Sequence, residues 1–234
     1  MVISLQDHTI GKGVNRKEPI VIREGRYYPK DKFMIASHYS KYIESVIIPK
    51  GLVVDRVDKL AMDIRNTYGD EPLHLLCVLK GARSFFTELC SALSKIHKYS
   101  GSYTQPPYFE HYVRLERENS VNVQVVTEDL SMLAGQNVLI VEDVFDSGHK
   151  LHRLVKELQD VKPKSVKTAA LLEKQTLVSI GIKADFAGFD IPDLFVVGYS
   201  LDYNEAFRDL NHISILNAEG LAKFTIPAQG PAFC

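Results

Sequence analysis

Apolar positions along the chain follow two rhythms. In "DRVDKLAMDIRNTYG" (55–69), Val57, Leu60, Ala61 and Ile64 recur at helical spacing, which predicts a helix capped by Asp55 and stopped at Gly69. "LHLLCVLKG" (73–81) is instead apolar without a break until Lys80-Gly81. A run with no polar face fits a strand covered on both sides, as in a parallel sheet. Phe85, Phe86, Leu89 and Leu93 restore the helical rhythm at about 83–97. The loop "YSGSYTQPPY" (99–108) leads to a strand "FEHYVRLE" (109–116). "RENS" (117–120) reads as a turn, and the alternating valines of "VNVQVV" (121–126) as a half-exposed strand.

"NVLIVEDV" (137–144) is a second fully apolar strand, followed by a helix "HKLHRLVKELQD" (149–160) with Leu151, Leu154, Val155 and Leu158 on one stripe. "SVKTAALLEK" (165–174) and "LFVVGYSLD" (194–202) read as two more strands. Residues 1–35 are irregular, with one strand expected at "PIVIRE" (19–24), and no internal repeat occurs. Strands alternate with helices at βαβ spacing, so the fold class is α/β: a mostly parallel, doubly wound sheet with flanking helices. Such sheets bind ligands beyond the carboxyl ends of their strands. Four polar clusters fall at those ends: Lys80-Gly81, Glu142 to Lys150, Lys174 and Asp202. We expect one pocket to collect all four.

Composition removes several classes of function. A chain of 234 residues suits one α/β domain, with room for a small appended lobe. A formal net charge of -1 gives no reason to expect nucleic acid or an anionic membrane as partner. Cys77, Cys90 and Cys234 are too few and too scattered for a disulfide framework or a zinc site; the first two sit in apolar patterns, as buried thiols do. With no signal-like stretch at the N-terminus and no apolar run of membrane length, a cytoplasmic setting is expected.

The chemistry concentrates in "VEDVFDSGHK" (141–150), where three acids sit within five positions at the exit of a buried strand. From Asp146 through Ser147, Gly148, His149 and Lys150, a strand-to-helix turn offers backbone N–H groups, a hydroxyl and a helix N-terminus, which suit a phosphate. Glu142 and Asp143 can accept hydrogen bonds from two vicinal sugar hydroxyls, so a sugar phosphate would be held at both ends. Asp146, between the two subsites, can act as a base or steady a developing cation. A phospho-receiver domain also has such an acidic strand end, but near its start; here 136 residues precede Asn137.

With these motifs in place, the chain from about Phe33 to Phe224 resembles the hypoxanthine-guanine phosphoribosyltransferases, a purine salvage family, and most of all its protozoan-type members, some of which also accept xanthine. "VEDVFDSG" is similar to the family's phosphoribosyl pyrophosphate loop, "CVLKG" to its pyrophosphate loop, "LLEK" to its purine-contacting lysine strand, and "DFAGFDIPDLFVVGYSLDYNEAFRDLNH" to its long C-terminal signature. The resemblance implies the type I phosphoribosyltransferase fold as a single domain. Its core would span about 37–190 and its small hood lobe about 1–36 with 191–234. It implies Mg2+, a purine base and phosphoribosyl pyrophosphate as partners, and a homodimer or homotetramer. Carried over, Asp146 is the general base near purine N7, and Glu142 and Asp143 hold the ribose hydroxyls. Ser147, Gly148, His149 and Lys150 wrap the 5′-phosphate. Lys80-Gly81, joined by a non-proline cis peptide, binds pyrophosphate with Arg208. Lys174, Phe195 and Val196 meet the purine, and Asp202 anchors magnesium with Glu142 and Asp143, beside the base.

Departures from the family pattern fall on mobile parts. The family's lid carries a Ser-Tyr pair after Arg-Leu-Lys, whereas Arg114-Leu115 is followed here by Glu116, Arg117 and Glu118. His149-Lys150 stands where Lys-Thr is common, and Gln175 replaces an arginine. A weakened, nucleotide-binding paralogue is therefore the alternative to an active enzyme. Two lid carboxylates close over an anionic ligand unfavourably, and increasingly so as water leaves. Arg117→Ser combined with Glu118→Tyr is expected to raise kcat and suppress hydrolysis of the donor, with little change in purine affinity, in steady-state assays of both products.

Overall fold

The computed structural model describes residues 16–100, 106–117, 123–127, 129–146, 148–176 and 183–225. They form two compact units: one of 51–193 with the chain up to Glu24, the other of Gly25–Lys50 and the chain from Leu194 onward.

The first unit is built on seven strands, numbered in order along the whole chain: β1 (Ile20–Val21), β4 (Leu73–Leu79), β5 (Phe109–Arg117), β6 (Val123–Thr127), β7 (Asn137–Phe145), β8 (Ser165–Gln175) and β9 (Phe186–Pro192). Their order is β1-β9-β8-β7-β4-β5-β6. Every pairing is parallel except β5 with β6. The apolar runs of β4 and β7 are central strands for the reason their composition implies. Leu76, Val78, Val138 and Ile140 pack on one face with Leu151, Leu154, Val155 and Leu158 of α4 (His149–Val161). Leu75, Cys77, Leu139 and Val141 alternate to the other face and are equally buried. Helix α3 (Arg83–Tyr99) buries Phe85, Phe86, Leu89 and Leu93, the expected stripe. Cys77 and Cys90 are free and buried, and burial pushes both thiols up to about 12, so they stay protonated at neutral pH.

Three expectations need correction. Helix α2 spans Lys50–Tyr68, so Asp55 lies inside it and caps nothing. The apolar stripe already begins at buried Val53, one turn earlier, while Gly69 at φ 60 ends the helix as expected. The strand after β8 is β9, "FAGFDIP", not "LFVVGYSLD". Gly188 and Pro192 make this stretch look like a loop, but a Cβ at Gly188 would lie 2.5 Å from the Leu171 carbonyl oxygen, so close strand approach demands the glycine. "PIVIRE" contributes only the two residues of β1.

In the second unit, β2 (Tyr28–Pro29), β3 (Ile43–Ile48), β10 (Val196–Val197) and β11 (Ile213–Leu216) form an antiparallel sheet in the order β10-β11-β3-β2. Only Val196 and Val197 of "LFVVGYSLD" are strand, and they belong here. Asp202 therefore does not follow a strand of the parallel sheet. Short helices α1 (Ser37–Ser40) and α5 (Ala218–Phe224) complete the unit, whose core gathers Tyr42, Ile43, Val197, Phe207, Leu210 and Leu216.

One buried polar pair sets a pH dependence. His74 of β4 and His111 of β5 stack at 5.1 Å, with Nδ1 and Nε2 2.9 Å apart, and Phe109 stacks on His74. Burial lowers both pKa values, that of His74 further through the charge of His111. As the pH falls, the unfolded chain therefore takes up protons before the fold does. The stability held by the neutral pair is whole above an ordinary histidine pKa of ~6.5 and is lost as the pH drops from there through the lowered folded values. The melting temperature should fall over that window, by about 2–4 °C for each kcal/mol lost. His111→Gln should flatten the profile, as calorimetry across pH 8 to 5 would show.

Candidate functional site

In the first unit, three polar clusters stand where adjacent parallel strands end. Lys80-Gly81 follows β4, Glu142 to Phe145 closes β7 with Asp146 just beyond, and Lys174 is the penultimate residue of β8. The β4–β7 pairing brings the first two together: a Cβ at Gly81 would lie 1.6 Å from Oδ2 of Asp143 and 2.7 Å from its Cγ. Glycine is thus what gives the Asp143 carboxylate its place. Oδ1 of Asp143 accepts the Val144 N–H at 2.8 Å. Glu142 and Asp143 are half-buried and Asp146 is exposed. The non-proline cis peptide is Leu79–Lys80, one bond earlier than the sequence reading had it.

Gly148 takes a left-handed conformation (φ 86) as the residue that enters α4, with no side-chain cap. The Gly148 carbonyl accepts the His152 N–H at 2.9 Å as the first bond of the helix, so the N–H groups of the first turn of α4 have no helical partner. Such an uncapped end of a 13-residue helix suits an anion. His149 is exposed there. Ser147 and Glu118 lie outside the described residues, as do the side chains of Lys150, Glu116 and Arg117. The backbones of Glu116 and Arg117 continue β5, with Arg117 opposite Val123 of β6, so Arg117 belongs to a strand and not to the turn.

Lys174 is shielded at 14% side-chain exposure, with its Nζ 3.7 Å from Oδ1 of Asp193. The sequence reading missed Asp193, because the β8–β9 register, with Lys174 opposite Ile191, is what returns the chain to that lysine. In the second unit, Phe195 is half-exposed and meets Tyr203 edge-on at 5.1 Å, so it is no core residue, while Val196 is buried. Arg208 donates to the Ser200 carbonyl (2.8 Å), pairs with Asp202 (2.9 Å) and reaches Glu205 (3.3 Å). The other Asp202 oxygen accepts the Glu205 N–H at 2.7 Å. Tyr199, Ser200, Asn204, Glu205 and Phe207 all hold positive φ around this pair. Five non-glycine residues in that region form a strained turn of the kind found at ligand sites. Among the described residues, no three His, Cys, Asp or Glu side chains gather as a ready metal cage.

A family model for the phosphoribosyl transferase domain matches residues 48–204. The chain is 46% identical, over 92% of its length and 95% of the relative's, to the hypoxanthine-guanine-xanthine phosphoribosyltransferase of Plasmodium falciparum. The chain belongs to the hypoxanthine-guanine phosphoribosyltransferase family. It is 42% identical to the human hypoxanthine-guanine phosphoribosyltransferase, over 84% of this chain and 92% of that protein. A crystal structure of the Schistosoma mansoni hypoxanthine-guanine phosphoribosyltransferase in complex with IMP superposes with a TM-score of 0.75, at 32% identity, covering 89% of this chain and all of that one. Family membership makes the protein an enzyme, a transferase. No helix among the described residues is long and apolar enough to cross a membrane.

The contact between Gly81 and Asp143 yields a direct test. Gly81→Ala must displace the Asp143 carboxylate, the end of a half-buried side chain rather than backbone, so the melting temperature should change little. Misplacement by an ångström at a working site is worth up to about 10²-fold. Affinity for the phosphoribosyl donor, measured by titration calorimetry, is expected to fall at least tenfold on that scale.

Proposed function

We propose that the protein transfers the 5-phosphoribosyl group from phosphoribosyl pyrophosphate to hypoxanthine or guanine, and to xanthine as its Plasmodium relative does by name, releasing IMP, GMP or XMP with pyrophosphate. The observation that carries this reading is the alignment of three strand ends in one parallel sheet: an anion turn at Gly148, a carboxylate pair at Glu142 and Asp143 beside Lys80-Gly81, and a shielded lysine at position 174.

In this reading the turn from Asp146 through Ser147, Gly148, His149 and Lys150 takes the 5′-phosphate on its N–H groups. Glu142 and Asp143 accept the ribose hydroxyls. Lys174 is a donor only, so it accepts a 6-oxo group and rejects a 6-amino group. Phe195, half-exposed, would stack on the base, and Val196 would meet it through the backbone. Asp146 takes the proton from the purine, which leaves N9 the stronger nucleophile toward C1 of the sugar. Lys80, Gly81 and Arg208 receive the departing pyrophosphate, stabilising charge that develops only as the bond breaks.

The donor set suits magnesium. That ion prefers one or two carboxylates together with substrate phosphates over an all-protein cage, and Glu142 and Asp143, consecutive residues at the end of β7, supply two hard oxygen groups. Asp202, which the family resemblance adds to the metal set, pairs with Arg208 and accepts the Glu205 N–H. Bound there, magnesium would neutralise charge on the pyrophosphate leaving group. A cytoplasmic homodimer or homotetramer is the assembly the family resemblance supports.

The deciding assay measures pyrophosphate release with hypoxanthine, guanine and xanthine in the presence of magnesium. Turnover is expected. Nucleotide binding without any turnover at high enzyme concentration would favour the weakened paralogue instead. Asp146→Asn keeps hydrogen bonding but cannot take a proton. It should leave donor affinity nearly intact and lower the single-turnover rate by ~10²–10⁴-fold. An unchanged rate would remove Asp146 from the role of base.

A further inference from the structure

Glu173 is buried to 2% side-chain exposure yet has no part in the chemistry above. It is the β8 residue immediately before Lys174, and the sheet register places it opposite Phe145 of β7, the residue before Asp146, and opposite Asp190 of β9. Oε1 of Glu173 accepts the Ala184 N–H at 2.7 Å. Oε2 accepts from an Arg16 guanidinium nitrogen at 2.5 Å and lies 3.7 Å from Nζ of Lys183. Two hydrogen-bond donors and a nearby ammonium, from two separate stretches of chain, therefore converge on one side chain at the carboxyl end of β8.

Stability alone does not account for this arrangement. Burying a carboxylate is expensive, and an apolar residue of similar volume usually serves a core as well or better. What an ion pair with fixed hydrogen bonds adds is direction. Successive strand residues face opposite sides of the sheet, so Glu173 cannot touch what Lys174 touches and acts on it only through the backbone they share. We propose that Glu173, clamped by Arg16 and Ala184, is a positioning residue that fixes the end of β8 and so the reach of Lys174 toward the base. The inference rests on the purine-reading role of Lys174 given above.

The test is steady-state kinetics of the full chain, with the purine and phosphoribosyl pyrophosphate varied in turn, on Glu173→Gln, Arg16→Gln and Arg16→Lys. Glu173→Gln and Arg16→Gln should each raise the purine KM by about tenfold, the lower end of what loss of an outer-shell partner costs at a ligand site. The KM for phosphoribosyl pyrophosphate should stay near that of the parent, and discrimination against adenine should relax. Arg16→Lys, which keeps the charge, should recover most of the purine affinity. If the variants lose thermal stability but keep the parent's purine KM, Glu173 is structural only and the proposal is overturned. Arg16→Gln carries the test alone should Glu173→Gln fail to fold. A parent with no turnover on any 6-oxopurine would instead sink the functional reading, and this inference with it.

Discussion

A strand covered on both faces can place unpaired charges only at its ends. That constraint orders the first unit. β4, β7 and β8 run parallel with the middle of each strand buried on both faces, so their charges gather toward the strand ends, and parallel pairing brings the carboxyl ends of all three to one edge. Lys80, Glu142, Asp143, Asp146 and Lys174 come to one edge for this reason, although the first and last are 94 positions apart in the chain. The site is a consequence of how the sheet is buried.

Within that edge, small steric facts decide geometry. Gly81 leaves the Asp143 carboxylate the space a Cβ would occupy, and Gly148 turns the chain left-handed so that α4 begins with its N–H groups uncapped. Two charged side chains of α2 enter the interior with hydrogen-bond partners. Arg56 of α2 donates to the carbonyls of Gly188 (3.0 Å), Ala187 (2.8 Å) and Glu18 (3.0 Å). Asp63 of the same helix accepts from Lys17 and Lys59. Burial would raise the Asp63 pKa, but the two lysines outweigh it and hold the carboxyl below its usual range. These contacts, with Arg16 on Glu173, tie residues 16–18 to α2 and to the end of β8, and tie α2 to β9.

The second unit follows a different rule. Its strands are short and antiparallel, and its polar group of interest, Arg208, is held by a strained turn rather than by a strand end. Arg208 is gripped by Ser200, Asp202 and Glu205 together, an arrangement in which the guanidinium fork is oriented before any ligand arrives.

By itself, the sequence determined the elements with long, regular patterns. The unbroken apolar runs of β4 and β7 and the stripes of α2, α3 and α4 declare themselves, because each sums many weak preferences over seven or more residues. The place of the acids of 142–146 at a strand exit was legible because the apolar run before them marks a buried strand and they mark its end. Tertiary structure alone decided the rest. β9 hid behind Gly188, whose reason for being is the Leu171 carbonyl on another strand, and β10 is too short for any periodicity. Asp55 looked like a cap because its type suits one, while the core had already claimed Val53. Asp193 beside Lys174, Arg16 on Glu173 and Asp202 on Arg208 depend on register and on turns. Pairings of that kind are set by long-range packing, which a local pattern of residues does not encode.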